Sequence, residues 1–61
     1  MPIVRVTWLA GRTKEQKDEL AKAITEAVVR VSNTKAESTQ DIFEDVPRDS
    51  WSKAGVLASD W

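Results

Sequence analysis

The chain has 61 residues, with nine basic and ten acidic side chains, no histidine, no cysteine and a formal net charge of −1. One domain of this size buries too small a fraction of its surface to be more than marginally stable alone, and without Cys or His it has neither disulfide nor zinc to staple it, so oligomerisation is the expected remedy. The same inventory excludes Ser-His-Asp and Cys-His catalysis, and the near-neutral charge gives no bulk attraction to a phosphate backbone.

Residues 2 to 9 are rich in Val, Ile, Thr and Trp. A strand there puts Val4, Val6 and Trp8 on one face and Ile3, Arg5, Thr7 and Leu9 on the other. Pro2 heads this strand. Removal of Met1, usual before a small second residue, would leave Pro2 a free secondary amine on a rigid ring, able to act as a general base. With Met1 retained, the same nitrogen is a tertiary amide without a basic lone pair. Gly11 allows a tight exit, and Thr13 with Gln16 three residues later reads as a capping box at a helix start.

From Lys14 to about Ser32, Leu20, Ile24, Ala27, Val28 and Val31 recur at three- and four-residue spacing, the pattern of one amphipathic helix. Asp18 with Lys22 and Glu26 with Arg30 are i,i+4 pairs expected on its solvated face. Asn33 suits a left-handed C-cap, and residues 33 to 38 are polar enough for a turn. Thr39 to Val46 read as a second strand, centred on Ile42 and Phe43 and ended by Pro47. Strand, long helix and strand imply a right-handed crossover with the two strands parallel. One sheet face is then uncovered, and dimerisation would cover it. The tail from Ser50 to Trp61, with a turn at Lys53-Ala54-Gly55 and apolar Val56-Leu57-Ala58, suggests a short hairpin or arm packed on a neighbour. The expected class is therefore α/β, one domain over residues 1–61. No apolar run approaches the length of a membrane span, and the absence of cysteine fits a reducing compartment, so a cytoplasmic location is expected.

The order of residues then resembles a known family. Pro2 heading a strand, Leu9-Ala10-Gly11-Arg12-Thr13-Lys14-Glu15-Gln16-Lys17, Phe43-Glu44-Asp45-Val46-Pro47-Arg48-Asp49-Ser50-Trp51 and Gly55-Val56-Leu57-Ala58-Ser59-Asp60 are similar to 4-oxalocrotonate tautomerase and its short homologues. The resemblance implies a βαβ protomer that pairs through its sheet and assembles as a homo- or heterohexamer, a trimer of dimers. It implies a cofactor-free isomerase of aromatic catabolism that interconverts enol and keto forms of a small unsaturated 2-hydroxy or 2-oxo acid. By the same resemblance Pro2 is the catalytic base and Arg12 the anchor for a substrate carboxylate. Arg12 taken alone reads as a solvated loop residue. Trp51 stands where the family places an aromatic pocket wall, and Leu9 contributes an apolar one, with plain interface or core packing as the other reading of each.

Two positions depart from the family pattern. Gln40 occupies the place of a second arginine that binds substrate from a neighbouring subunit. A neutral donor in place of a charged one costs about 1–2 kcal/mol, roughly one order of magnitude in rate. Asp41 stands where similar sequences have an apolar strand residue; either it faces the helix as a buried carboxylate, or the strand starts later or bulges and leaves it in solvent, and the sequence does not choose between these. Other readings follow: one subunit of a heterohexamer whose other chain supplies the missing arginine; a hydratase or dehalogenase with Asp41 or Glu44 activating water; and a small DNA-binding dimer built on an amino-terminal ribbon.

Overall fold

A computed structural model describes residues 2–61, so Met1, on whose removal the basicity of Pro2 depends, lies outside the described residues. Strand β1 (Ile3–Leu9) leads through a short loop into helix α1 (Lys14–Ser32), a single 3-10 turn at Ala36–Ser38 and strand β2 (Gln40–Val46). Both strands begin one residue later than the β-propensity suggests. They pair in parallel, from Ile3 with Gln40 to Leu9 with Val46, without a bulge. The Gln40 N–H donating to the Pro2 carbonyl (3.0 Å) and the Ala10 N–H donating to Val46 (2.9 Å) extend the ladder at its two ends.

The helix begins where its side chains dictate. Thr13 accepts from the Gln16 N–H (3.1 Å), while the Gln16 side chain accepts from the Thr13 N–H (2.9 Å), the reciprocal box that satisfies two orphan donors. It ends at Asn33, in the left-handed region at φ 56°. Thr25 and Lys17 of α1 bond Asp41 and Asp45 of β2. By strand alternation the helix therefore covers the sheet face that carries Val4, Val6, Trp8, Asp41, Phe43 and Asp45. Val31, the last residue of the expected apolar stripe, is 77% exposed. Nineteen helical residues span roughly 28 Å against about 23 Å for a seven-residue strand, so the helix overruns the sheet by a turn.

The expected ion pairs along α1 are replaced. Asp18 accepts from Lys14 (2.8 Å), and neither Asp18 with Lys22 nor Glu26 with Arg30 closes to ion-pair distance among the described residues. Alternative partners on a solvated helix face differ by only a few tenths of a kcal/mol, too little for spacing to decide. Lys22 and Glu26 instead line a groove of about 290 Å³ with Ala21 and Thr25.

After β2 the chain makes a 3-10 turn at Arg48–Ser50 and forms the two-residue strands β3 (Ser52–Lys53) and β4 (Val56–Leu57), paired antiparallel, before a last 3-10 turn at Ala58–Asp60. The hairpin loop is Ala54-Gly55, with φ 52° and 80°. Positive φ at both central residues defines a type I′ turn. Ala58, at 2% exposure, is the one buried hydrophobic among the described residues. Trp61, Ile3 and Val56 are 59%, 54% and 47% exposed.

The protomer is elongated, 43 × 23 × 14 Å, with a radius of gyration of 14.5 Å, where a compact chain of this length has about 10.5 Å. Its accessible surface is 4673 Å², roughly 700 Å² more than a folded monomer of its mass exposes.

Candidate functional site

The candidate residues fall into two groups at opposite ends of the sheet. At the amino-terminal end, Pro2 and Gln40 are adjacent, joined by the backbone hydrogen bond that starts the ladder. Pro2 is half-buried and Gln40 exposed. At the other end the Arg12 guanidinium folds back so that Nη1 donates to the Leu9 carbonyl (2.8 Å). Seven strand residues at about 3.3 Å each separate the two groups by roughly 20 Å. One protomer therefore does not bring Pro2 and Arg12 to one small molecule.

Local chemistry explains the second group. Gly11, at φ 135°, takes a backbone conformation closed to residues with a Cβ, and this turn delivers Arg12 beside the strand it has just left. The Arg12 Cζ lies 4.8 Å from the centre of the Trp8 ring. The Trp8 indole N–H donates to Asp45 Oδ1 (2.5 Å), and Lys17 Nζ donates to Asp45 Oδ2. Phe43 stacks on Trp8, with ring centres 5.4 Å apart. The Lys17 hydrogen bond, with help from the Trp8 N–H and a weaker pull from Arg12, holds the Asp45 carboxyl below the usual range. Trp8, Lys17 and Asp45 escaped the reading of the sequence. The signal was the parallel register, which sets Trp8 opposite Asp45.

Trp51 is half-buried at the start of the arm, its carbonyl accepting from the Ala58 N–H (2.7 Å). This tie closes the hairpin. Leu9 lies on the outer sheet face by alternation. On the same face the Glu44 carboxylate accepts from Thr7 (3.1 Å) and from Arg5 (3.5 Å). Asp41 faces the helix: Thr25 donates to its Oδ2 (2.5 Å), and its Oδ1 is buried without a partner. With its carboxylate turned inward it is not placed to activate a solvent water.

A proline-headed strand, a parallel βαβ unit and an arginine in the strand-to-helix loop agree with the resemblance to 4-oxalocrotonate tautomerase drawn from the sequence. Residues 2–60 match the tautomerase enzyme family, and the chain belongs to it. A probable tautomerase of Ralstonia nicotianae is 37% identical over 57 residues, covering 93% of this chain and 88% of its own. The crystal structure of a 4-oxalocrotonate tautomerase homologue superposes with a TM-score of 0.95 at 39% identity, covering 100% of this chain and 97% of the other. A heterohexamer 4-oxalocrotonate tautomerase from Chloroflexus aurantiacus matches with a TM-score of 0.89 at 32% identity, over 98% and 97% of the two chains.

Proposed function

We propose that the chain is a cofactor-independent tautomerase that moves a proton between the enol and keto forms of a small unsaturated 2-hydroxy or 2-oxo acid, at sites shared between protomers of a hexamer. The observation that carries this reading is the separation of Pro2 and Gln40 from Arg12 and Leu9 within a family member whose protomer exposes an unpartnered sheet face.

Once Met1 is removed, the Pro2 nitrogen takes the enol hydroxyl proton and returns one to carbon as the double bonds shift. The proton count is unchanged and no electron acceptor is needed. A shuttle of this kind works best with its pKa near the working pH. A neighbouring guanidinium and a partly apolar wall both disfavour the ammonium form and lower it from a free amine's value. Arg12 from another protomer holds the carboxylate with its planar fork. Gln40, beside Pro2, offers a neutral N–H to the oxygen at which charge changes. Trp51 and Leu9 enclose the chain of the acid.

The test is the rate of enol-to-keto conversion of a 2-hydroxydienoic acid by protein whose intact mass shows Met1 absent, beside its Pro2→Ala variant. A rate that falls to background in Pro2→Ala is the expected result, and equal rates would overturn the amine base.

Gln40 favours a second reading, a heterohexamer in which a similar chain brings arginine to this end of the sheet. Full activity of hexamers assembled from this chain alone would remove it.

A further inference from the structure

We propose that the Trp8 ring, pinned by Asp45 and through it by Lys17, is the platform that fixes the direction in which Arg12 presents its free N–H groups to an anion. The inference rests on the reading of Arg12 as a carboxylate anchor and names the residues that position it.

The geometry fixes each group in turn. Lys17 and the Trp8 N–H occupy one Asp45 oxygen each. The indole is thus held by its hydrogen bond at one edge and by Phe43 stacked upon it. On this fixed ring the Arg12 guanidinium rests at 4.8 Å, with Nη1 committed to the Leu9 carbonyl. A guanidinium carries five N–H donors, so the remaining edge is free for a carboxylate. An aliphatic residue at position 8 would pack as well against the helix, yet would give Arg12 no π face and Asp45 no indole donor. A freely rotating arginine also loses rotamer freedom on binding, which the platform removes in advance.

The cluster has a second effect. Asp45 bonds the edge of the same indole whose face carries Arg12, so its carboxylate is a potential competitor for the guanidinium. Lys17 and the Trp8 N–H each take one of its oxygens and neutralise part of its charge, and Arg12 and Asp45 close no ion pair among the described residues. Lys17 therefore keeps Arg12 available for the incoming acid. Trp8, Asp45 and Lys17 touch no substrate in this scheme; they are positioning residues.

The test measures the dissociation constant of fumarate, a dicarboxylate without an enol, by calorimetry on assembled protein lacking Met1. Arg12→Ala should weaken it at least about tenfold, as loss of a charge-assisted pair requires. Trp8→Leu should weaken it about two- to fivefold, the range of an exposed cation–π contact, while Trp8→Phe, which keeps a ring face, stays within about twofold. Trp8→Leu combined with Arg12→Ala should bind no worse than Arg12→Ala, because the two act through one group. Lys17→Met should also weaken binding, and adding Asp45→Asn should restore it by removing the competing charge. In turnover Trp8→Leu and Lys17→Met, which touch no substrate, should raise KM by more than they lower kcat.

Parent affinity in Arg12→Ala would remove the anchor and this inference with it. Parent affinity in Trp8→Leu, with Arg12→Ala weakened, would overturn the platform alone. Should Trp8→Leu fail to assemble, Lys17→Met decides: unchanged affinity there overturns the proposal.

Discussion

The carboxylate of Asp41 makes the sharpest stability prediction. Thr25 supplies its one hydrogen bond among the described residues, and its second oxygen is buried without a partner. Thr25→Val keeps the β-branched shape and removes the hydroxyl, leaving both oxygens of a partly buried carboxylate unsatisfied. Loss of a hydrogen bond to a charged group costs about 1.5–3 kcal/mol, so Thr25→Val should destabilise by about 2–3 kcal/mol. Asp41→Val loses the same bond, but it removes an orphan acceptor worth about 1–3 kcal/mol and adds apolar burial. The Thr25 hydroxyl can then turn to the carbonyl one helical turn back, at Ala21. Asp41→Val should therefore match or exceed the parent, and the double variant should match Asp41→Val. The cycle predicts a coupling of about 2–3 kcal/mol between the two sites. Urea unfolding at one fixed protomer concentration measures it, since assembly makes stability concentration-dependent. In a domain of this size the Thr25→Val deficit lowers Tm by roughly 10–20 °C. A Thr25→Val protein within about 0.5 kcal/mol of the parent would show that the carboxylate has other donors and that the reasoning fails.

Three further outcomes are expected. Ala54 sits at φ 52° in a turn position that favours Asn or Gly, so Ala54→Asn should stabilise by about 1 kcal/mol and Ala54→Val destabilise, as read from Tm at matched concentration. Asp45 has its carboxyl held below its ordinary value of 3.8, by Lys17 first and then Trp8. Its contribution to stability is therefore complete above that ordinary value and disappears as pH falls through the lower folded one. The Trp8 indole N–H resonance, followed by NMR during acid titration, should move in that window in the parent and stay flat in Asp45→Asn. Gln40→Arg adds a charge-assisted donor beside Pro2 and should raise kcat/KM for a 2-hydroxydienoic acid by about tenfold, the kinetic equivalent of roughly 1.4 kcal/mol; an unchanged value would show that this end of the site does not use the side chain.

The features readable from sequence were those set by neighbours in the chain. Thr13 and Gln16 cap the helix because their reciprocal bonds span three residues, and Asn33 ends it because asparagine tolerates the left-handed region. Ala54-Gly55 turns where a glycine makes positive φ inexpensive. The parallel strands followed from the length of the helix between them. Asp41 illustrates what local pattern leaves open: the sequence is compatible with a carboxylate facing the helix and with one left in solvent by a late start or a bulge, and the continuous register decides for the first. Spacing alone does not settle the ion pairs along α1, because competing partners of Asp18 are nearly equal in energy. Val31 continues the apolar stripe yet lies exposed, because periodicity carries no information about where the sheet beneath a helix stops. Among the candidate site residues, Pro2 and Gln40 were legible as neighbours only once Gln40 was seen to begin the ladder. The Trp8, Asp45 and Lys17 cluster joins three segments and depends on pairing that no single segment encodes.

The length of β1 has a genetic consequence. Pro2 and Arg12 stand at opposite ends of that strand, so on the proposed reading each site draws its base and its anchor from different copies of the chain. A copy defective in Pro2 and a copy defective in Arg12 are then each inactive alone, yet when co-expressed they place some intact prolines opposite intact arginines. Two null alleles of one short gene would complement each other, and the unit of inheritance would be smaller than the unit that catalyses.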